Sequence, residues 1–504
     1  MTLDCSRTAW VLVGLCCLVL PAVTAQAPSR PAQFPALAAI RERDIRRDID
    51  LLAGDAMRGR EAGSLDELRA AAWIADRARN AGLAPAGNDG TYFQFWSMRR
   101  TVMAAASKLT AGGDALELGR DFAVQLPTNA HIDAETVYLD APAAAAAPTP
   151  DLTGKVVVVP LRLGTPVRGA ADVPIDIFAA IGRHRSALRD AGLGSAAALV
   201  VLGDPGDPPD VLQRAIAYFM LGSYGLDTGA VVRTRTMPVL LVPNPPSGLR
   251  TGGQRFVADL FTTTFSYPSV NVVARVSGTD PARRAEFVVY SSHIDHDGVR
   301  PAVGTDSIWN GADDNASTSV AILAVGRAFA AHPAPRSALF IWHGAEEKGL
   351  IGSRWHALHP VVPIGSMVAV INGDLIGRNS PDSMGLLGSQ PPHRNSAELV
   401  DMALRANAAV GHFALDSLWD RASHAERWYF RSDHVSYAEL GVPALHFSSL
   451  TEPDYHTPFD EPSRINTAKL TRVSRWMYAT GWLAATAARR PASDPNVVIK
   501  SIIR

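Results

Sequence analysis

HIDHDG (293–298), GADDNAS (311–317), HGAEEKGLIGS (343–353) and NGDLIG (372–377) are the clusters on which the reading of this 504-residue chain turns. Three of them follow short apolar runs: FVVYSS before the first, ALFIW before the third and MVAVI before the fourth. An apolar run ending in a polar loop is how the C-terminal end of a strand reads in an open α/β sheet, where chemistry-bearing loops collect along one edge. These loops bring His, Asp and Glu together, a hard-donor set whose natural occupant is a pair of metal ions.

The chain around the clusters supplies strands and helices in alternation. YPSVNVVARVSG (267–278) and EFVVYSSHIDH (286–296) read as strands, and 315–331 as a helix rich in Ala, Val and Leu. SALFIWHGAEE gives a strand and loop, LIGSRWHAL a helix, and MVAVINGDLIG a further strand. This spacing predicts an α/β fold, a mostly parallel or mixed sheet with helices on both faces.

Upstream the texture changes. Over 137–260 the acidic and histidine clusters give way to short strands among Gly and Pro: LTGKVVVVPLR (152–162), AAALVVLGD (196–204) and TMPVLLVPN (236–244), with a helix over 178–194. PAAAAAPTP (142–150) reads as an exposed connector. Earlier still, a helical pattern runs from Leu37 through Asp48 to Leu51 and Leu52, and MRGREAGS (57–64) is a turn. The 65–81 segment is amphipathic, with Leu65, Leu68, Ala71, Ala72, Ala75 and Ala78 on one face and Gly82 as its C-cap. Tyr92, Phe93, Phe95 and Trp96 read as a strand packed on the core.

A chain of 504 residues that is 47% hydrophobic and 19% charged can bury a large core and make two or more domains. Its net charge of −1 offers no basic stripe for nucleic acid. Cys5, Cys16 and Cys17 all lie at the N-terminus, so any metal further on must be held by His and carboxylate. Arg7, the apolar run AWVLVGLCCLVLPAV and the small-residue ending Val23-Thr24-Ala25 describe a signal peptide over 1–25, hence a secreted or periplasmic protein. The same residues would serve as an uncleaved anchor; no later segment is long and apolar enough to span a membrane.

Each cluster has its own chemistry. In an extended His293-Ile294-Asp295, the His and Asp share a side, and the carboxylate can accept the other imidazole N–H and orient the ring. His296 could be a ligand or a supporting polar group. In Asp313-Asp314 one carboxylate can bridge two cations, and Asp313 could alternatively cap the following helix. In Glu346-Glu347 one carboxylate can ligate while its neighbour takes a proton from water, although paired Glu at a helix start also suits the helix dipole. Asp374 follows a buried strand, where an uncompensated carboxylate would be costly.

The order HxD, GADDNAS, GAEExGLxGS, NxDxxG, RSDH (431–434) and DYHT (454–457) closely resembles the M28 family of zinc aminopeptidases over about 267–483, with fainter agreement at MRGREAGS. The resemblance implies two zinc ions, with cobalt or manganese able to satisfy the same donors. His293, Asp314 and Asp374 would hold one, and Asp314, Glu347 and His456 the other, with Asp314 as bridge. It makes Glu346 the general base, Asp295 the orienting residue, Tyr455 an oxyanion donor and Arg431 a neighbour of bound substrate. The implied partners are peptides with a free N-terminus. Thr318 stands where the family commonly has Gly, on the helix and away from ligation.

The 137–260 stretch resembles the protease-associated domain, a β-rich insert, on its turn, GKVVVV and helix-to-strand step. The expected plan is therefore 26–136 and 261–504 as the catalytic domain, with 137–260 inserted. Two rivals share the fold: a glutaminyl cyclase, whose relatives usually show DS where Asp314-Asn315 stands, and a non-catalytic binding protein that has lost ligands.

Overall fold

The structure, a computed structural model, describes residues 34–140, 150–163, 173–227 and 237–500. The expected signal peptide and nearly all of the 142–150 connector lie outside the described residues.

A ten-stranded mixed sheet carries the site. In chain order its strands are β1 (Ala84–Pro85), β2 (Phe93–Met103), β3 (Ser223–Leu226), β4 (Thr262–Val276) and β5 (Phe287–His293), then β6 (Ser337–His343), β7 (Met367–Gly373), β8 (Ser383–Leu387), β9 (Ala414–Asp416) and β10 (Ala444–Ser448). Across the sheet the order is β9-β8-β10-β7-β5-β6-β4-β2-β3, and β1 pairs with β4. The central strands β10, β7, β5 and β6 are parallel, while β4, β2 and β3 continue antiparallel on one side. Every residue of β5, β6 and β7 is buried, as expected of parallel strands covered on both faces.

Their side chains alternate between two cores. Val288, Tyr290, Phe340, Trp342 and Ile371 pack with helices α1 (Glu42–Leu52), α2 (Leu65–Asn80), α3 (Thr318–Ala331) and α6 (Thr467–Thr486). Val289, Leu339, Ile341 and Val370 face the opposite layer, with the helices α4 (Ile351–Leu358) and α5 (His434–Ala438). The strand period of two thus fills both faces from one apolar run.

Several expected details differ. In α2, Leu65 is 78% exposed and Ala72 is also outside, while Ala70 and Ile74 join Ala71, Ala75 and Ala78 in the core. The cap sets this rotation: the Ser64 hydroxyl accepts from the Asp66 and Glu67 amides at 3.1 and 3.3 Å, and Glu67 turns inward to accept from the Gly63 amide and the Ser269 hydroxyl. Phe95, expected in the core, is 51% exposed, because alternation along β2 buries Trp96 instead. The helix expected from 315 begins with a π-type segment, Ala312–Ser317, before α3.

A second sheet of eight strands draws on Lys108–Ala111, Asp114–Leu116, Ala123–Val124 and Ala130–Tyr138, then Val156–Pro160, Ala198–Leu202, Val239–Val242 and Arg255–Leu260. Its strands start ahead of residue 137, and β3 leaves the 137–260 stretch to pair with β2 in the larger sheet. The long β2–β4 ribbon, paired from Phe93–Val272 to Met103–Thr262, runs from the larger sheet towards the second. Helices Val173–Ala187 and Pro209–Met220 cover one face of the second sheet.

Helix α6 approaches β5 closely at Gly481, where a Cβ would stand 1.8 Å from the Tyr290 hydroxyl. Gly481→Ala is expected to destabilise the fold by ~1–3 kcal/mol through overpacking. Urea denaturation checks this, and an unchanged midpoint would show that the helix slides freely.

Candidate metal centre

The site forms where the parallel strands end. His293 is the last residue of β5, Asp374 lies one residue past β7, and Glu346 and Glu347 lie in the loop after β6. Asp314 sits in the Ala312–Ser317 segment, next to a cis Asp314–Asn315 peptide bond. The His293 Nε2 is 3.3 Å from Asp314 Oδ1 and 3.5 Å from Asp374 Oδ1. The other Asp314 oxygen, Oδ2, is 3.1 Å from His456 Nε2, which is itself 3.3 Å from Glu347 Oε2. Two donor groups therefore share Asp314, each through a different oxygen.

Among the described residues, His293 Nε2, His456 Nε2 and Asp374 Oδ1 are buried without a hydrogen-bond partner. Buried polar atoms are rarely left so unless something else binds them. Donors ~2.0–2.1 Å from a tetrahedral zinc lie about 3.3 Å from one another. The 3.1 to 3.5 Å separations match that spacing, so the residues fit two cations. His296 stands beside the second group, with Nδ1 2.9 Å from Glu347 Oε1. Glu346 reaches within 3.8 Å of His293 Nε2 with Oε2.

The charges also call for cations. Burial opposes protonation of His293, yet the Glu346 and Asp374 carboxylates push its pKa well above the ordinary value; Glu347 does the same to His456 against its own burial. Burial raises Glu346 well above the carboxylate range and Asp295 to about 6. Burial pushes the Asp314 carboxyl up, but the facing imidazoles of His293 and His456 outweigh it and hold the group below its usual range. A buried cluster this rich in carboxylates is short of positive charge, which bound cations would supply.

Asp295 corrects the expectation. The His293 Nδ1–H points at the Asp295 backbone carbonyl, 3.1 Å away, while the nearest carboxylate oxygen is 3.8 Å off. That carboxylate accepts instead from the backbone amides of Glu346 and Glu347 at 3.0 and 3.3 Å, fixing the loop that carries both acids. Asp313 does not cap α3; its Oδ1 accepts from the Gly377 amide at 2.6 Å, tying the Asp314 segment to the loop after Asp374. Tyr455 and Arg431 do meet, with Arg431 donating to the Tyr455 hydroxyl at 3.2 Å and to Glu426 at 2.9 Å. The Tyr455 ring lies 4.1 Å from that of His456, and burial raises its phenol pKa.

Two supporting residues were not among those expected from the sequence. Asp460 accepts from the Asp313 and Asp314 amides at 2.8 and 3.0 Å; only its place four residues after His456 points to it. Arg60, in MRGREAGS, is fully buried and donates to the carbonyls of Ile294, Leu52, Asn310 and Gly311 at 2.7, 3.1, 2.6 and 2.9 Å. Burial draws its pKa down to about 10, yet it stays charged. Gly59 beside it has φ +68°, and a Cβ there would stand 2.4 Å from the Trp309 carbonyl, so the turn can seat against this loop only as glycine.

Residues 271–481 match Peptidase family M28. That stretch is an M28 peptidase domain. It contains all five of the candidate ligands, His293, Asp314, Glu347, Asp374 and His456. The chain is 27% identical over 188 residues to aminopeptidase YwaD of Bacillus subtilis (strain 168), a match covering 36% of this chain and 39% of that relative's length. Among solved structures it is similar to an aminopeptidase from Aneurinibacillus sp. strain AM-1, at a TM-score of 0.55 and 19% identity, covering 93% of this chain and 98% of that one. BSAP, a zinc aminopeptidase from Bacillus subtilis, aligns with a TM-score of 0.55 and 16% identity over 91% of this chain and 99% of its own. At these identities the structures support the M28 fold, with a mixed sheet between helices.

Arg60→Met leaves four buried carbonyls without their donor and is expected to cost at least ~3 kcal/mol. Arg60→Lys, a point charge without the planar fork, should recover little. If urea denaturation finds Arg60→Lys as stable as the parent, the clamp assigned to this guanidinium is wrong.

Proposed function

We propose that this chain is a secreted or periplasmic metallo-aminopeptidase that removes N-terminal residues from peptides with two cations and a glutamate base. The observation that carries the reading is the division of Asp314, one oxygen toward His293 and the other toward His456. His293, Asp314 and Asp374 would hold one cation, and Asp314, Glu347 and His456 the other. Zinc suits imidazole and carboxylate donors, and cobalt or manganese would satisfy the same set. When bound, such ions lower the pKa of water and polarise the scissile carbonyl.

The chain's own groups do the rest. Glu346, raised in pKa and fixed through its amide by Asp295, is placed to take a proton from the attacking water and return it to the leaving amine. Tyr455, kept protonated by burial, can donate to the oxygen of the tetrahedral intermediate while its hydroxyl accepts from Arg431. The acidic surplus also suits a substrate that brings a free α-ammonium group, which favours exopeptidase over endopeptidase action. Secretion rests on the N-terminal sequence, and among the described residues no helix is long and apolar enough to cross a membrane. We read the second sheet and its two covering helices as a protease-associated-like insert in the catalytic part, one that starts ahead of the expected residue 137, at Lys108, and ends at Leu260.

Glu346→Gln should retain both metals and lose turnover of a chromogenic aminoacyl substrate by ~10²–10⁴-fold. Near-parental turnover in the metal-loaded variant would reject Glu346 as the base.

A further inference from the structure

His456 is the most exposed of the candidate ligands. His293 ends a strand, Asp374 follows one, and the backbone at Asp314 is held by Asp460. His456 comes from a loop, has φ +52°, and its side chain is 24% exposed. Its ring meets Tyr455 at 4.1 Å and His296 at 5.3 Å, contacts that leave open which ring nitrogen faces inward.

The Nδ1 of His456 is 3.2 Å from Asp297 Oδ2. Asp297 is buried and belongs to HIDHDG, four residues past His293. Its other oxygen, Oδ1, faces Lys348 Nζ at 3.5 Å and Arg300 Nη2 at 3.6 Å. The two oxygens thus divide their work: two cations compensate the buried charge on one side, and the other is left for the imidazole. Lys348 directly follows Glu347, so the second donor group and the anchor of its histidine are joined through one loop.

We propose that Asp297 is a positioning residue for the second cation. Its carboxylate accepts the Nδ1–H of His456, which fixes the tautomer with a lone pair on Nε2 and aims that nitrogen between Asp314 and Glu347. The inference rests on the two-metal reading above. It extends to His456 the orientation that His293 draws from the Asp295 carbonyl, with an acceptor that is charged and comes from a distant segment.

The test is zinc content and zinc affinity, read by chelator competition on the full chain, for the parent, Asp297→Ala, Asp297→Asn and His456→Ala. The parent is expected to bind two zinc ions. Asp297→Ala should keep the first unchanged and bind the second ~10–100-fold more weakly. Asp297→Asn, whose amide oxygen still accepts, should recover most of that loss, and Asp297→Ala should add nothing to His456→Ala. If Asp297→Ala fails to fold by circular dichroism, Asp297→Ser, too short to reach Nδ1, takes its place. Parental affinity for both ions in the Ala or Ser variant overturns the proposal, as does an Asn variant no better than Ala. A parent that binds fewer than two zinc ions overturns the two-metal reading itself, and the proposal with it.

Discussion

One buried carboxylate organises this site. Asp314 is wedged between two imidazoles, 3.3 Å from one and 3.1 Å from the other, in a place where burial alone would favour its neutral form. Opposite charge on both sides keeps it ionised. A group in that position is useful only if its two oxygens stay aimed in different directions, and much of the surrounding architecture has that consequence.

The aim is set by backbone contacts. Asp460 accepts the amides of Asp313 and Asp314, and Asp313 accepts the amide of Gly377, so the segment is fixed from the His456 side and from the β7 side. Arg60 binds the carbonyls on either side of the gap, Ile294 after β5 and Gly311 before Asp314. Asp295 performs the same service for the loop of Glu346 and Glu347. Fully buried charged groups that hydrogen-bond to backbone in this way hold loops together that have little apolar surface of their own.

The central strands were legible because β5, β6 and β7 are continuous apolar runs that end in charged clusters. The five ligand candidates were legible because their residue types and order are unusual. What escaped was the burial register of α2, where the Ser64 cap and the inward Glu67 override the apolar face, and the true partner of Asp295, because alternation along a strand does not say that the chain turns just past His293. Asp460 and Arg60 escaped because each acts on main-chain groups far away in sequence, and such contacts leave no local pattern. The start of the second sheet was hidden because its first strands, Lys108–Ala111, Asp114–Leu116 and Ala123–Val124, are too short to show an apolar run or an alternation.

The most direct measurement is a crystal structure of the zinc-loaded protein with anomalous data collected on either side of the zinc edge. Two anomalous peaks are predicted, one against His293 and Asp374 and one against Glu347 and His456, with the Asp314 carboxylate between them. A single peak, or two peaks of which only one contacts Asp314, would contradict the account.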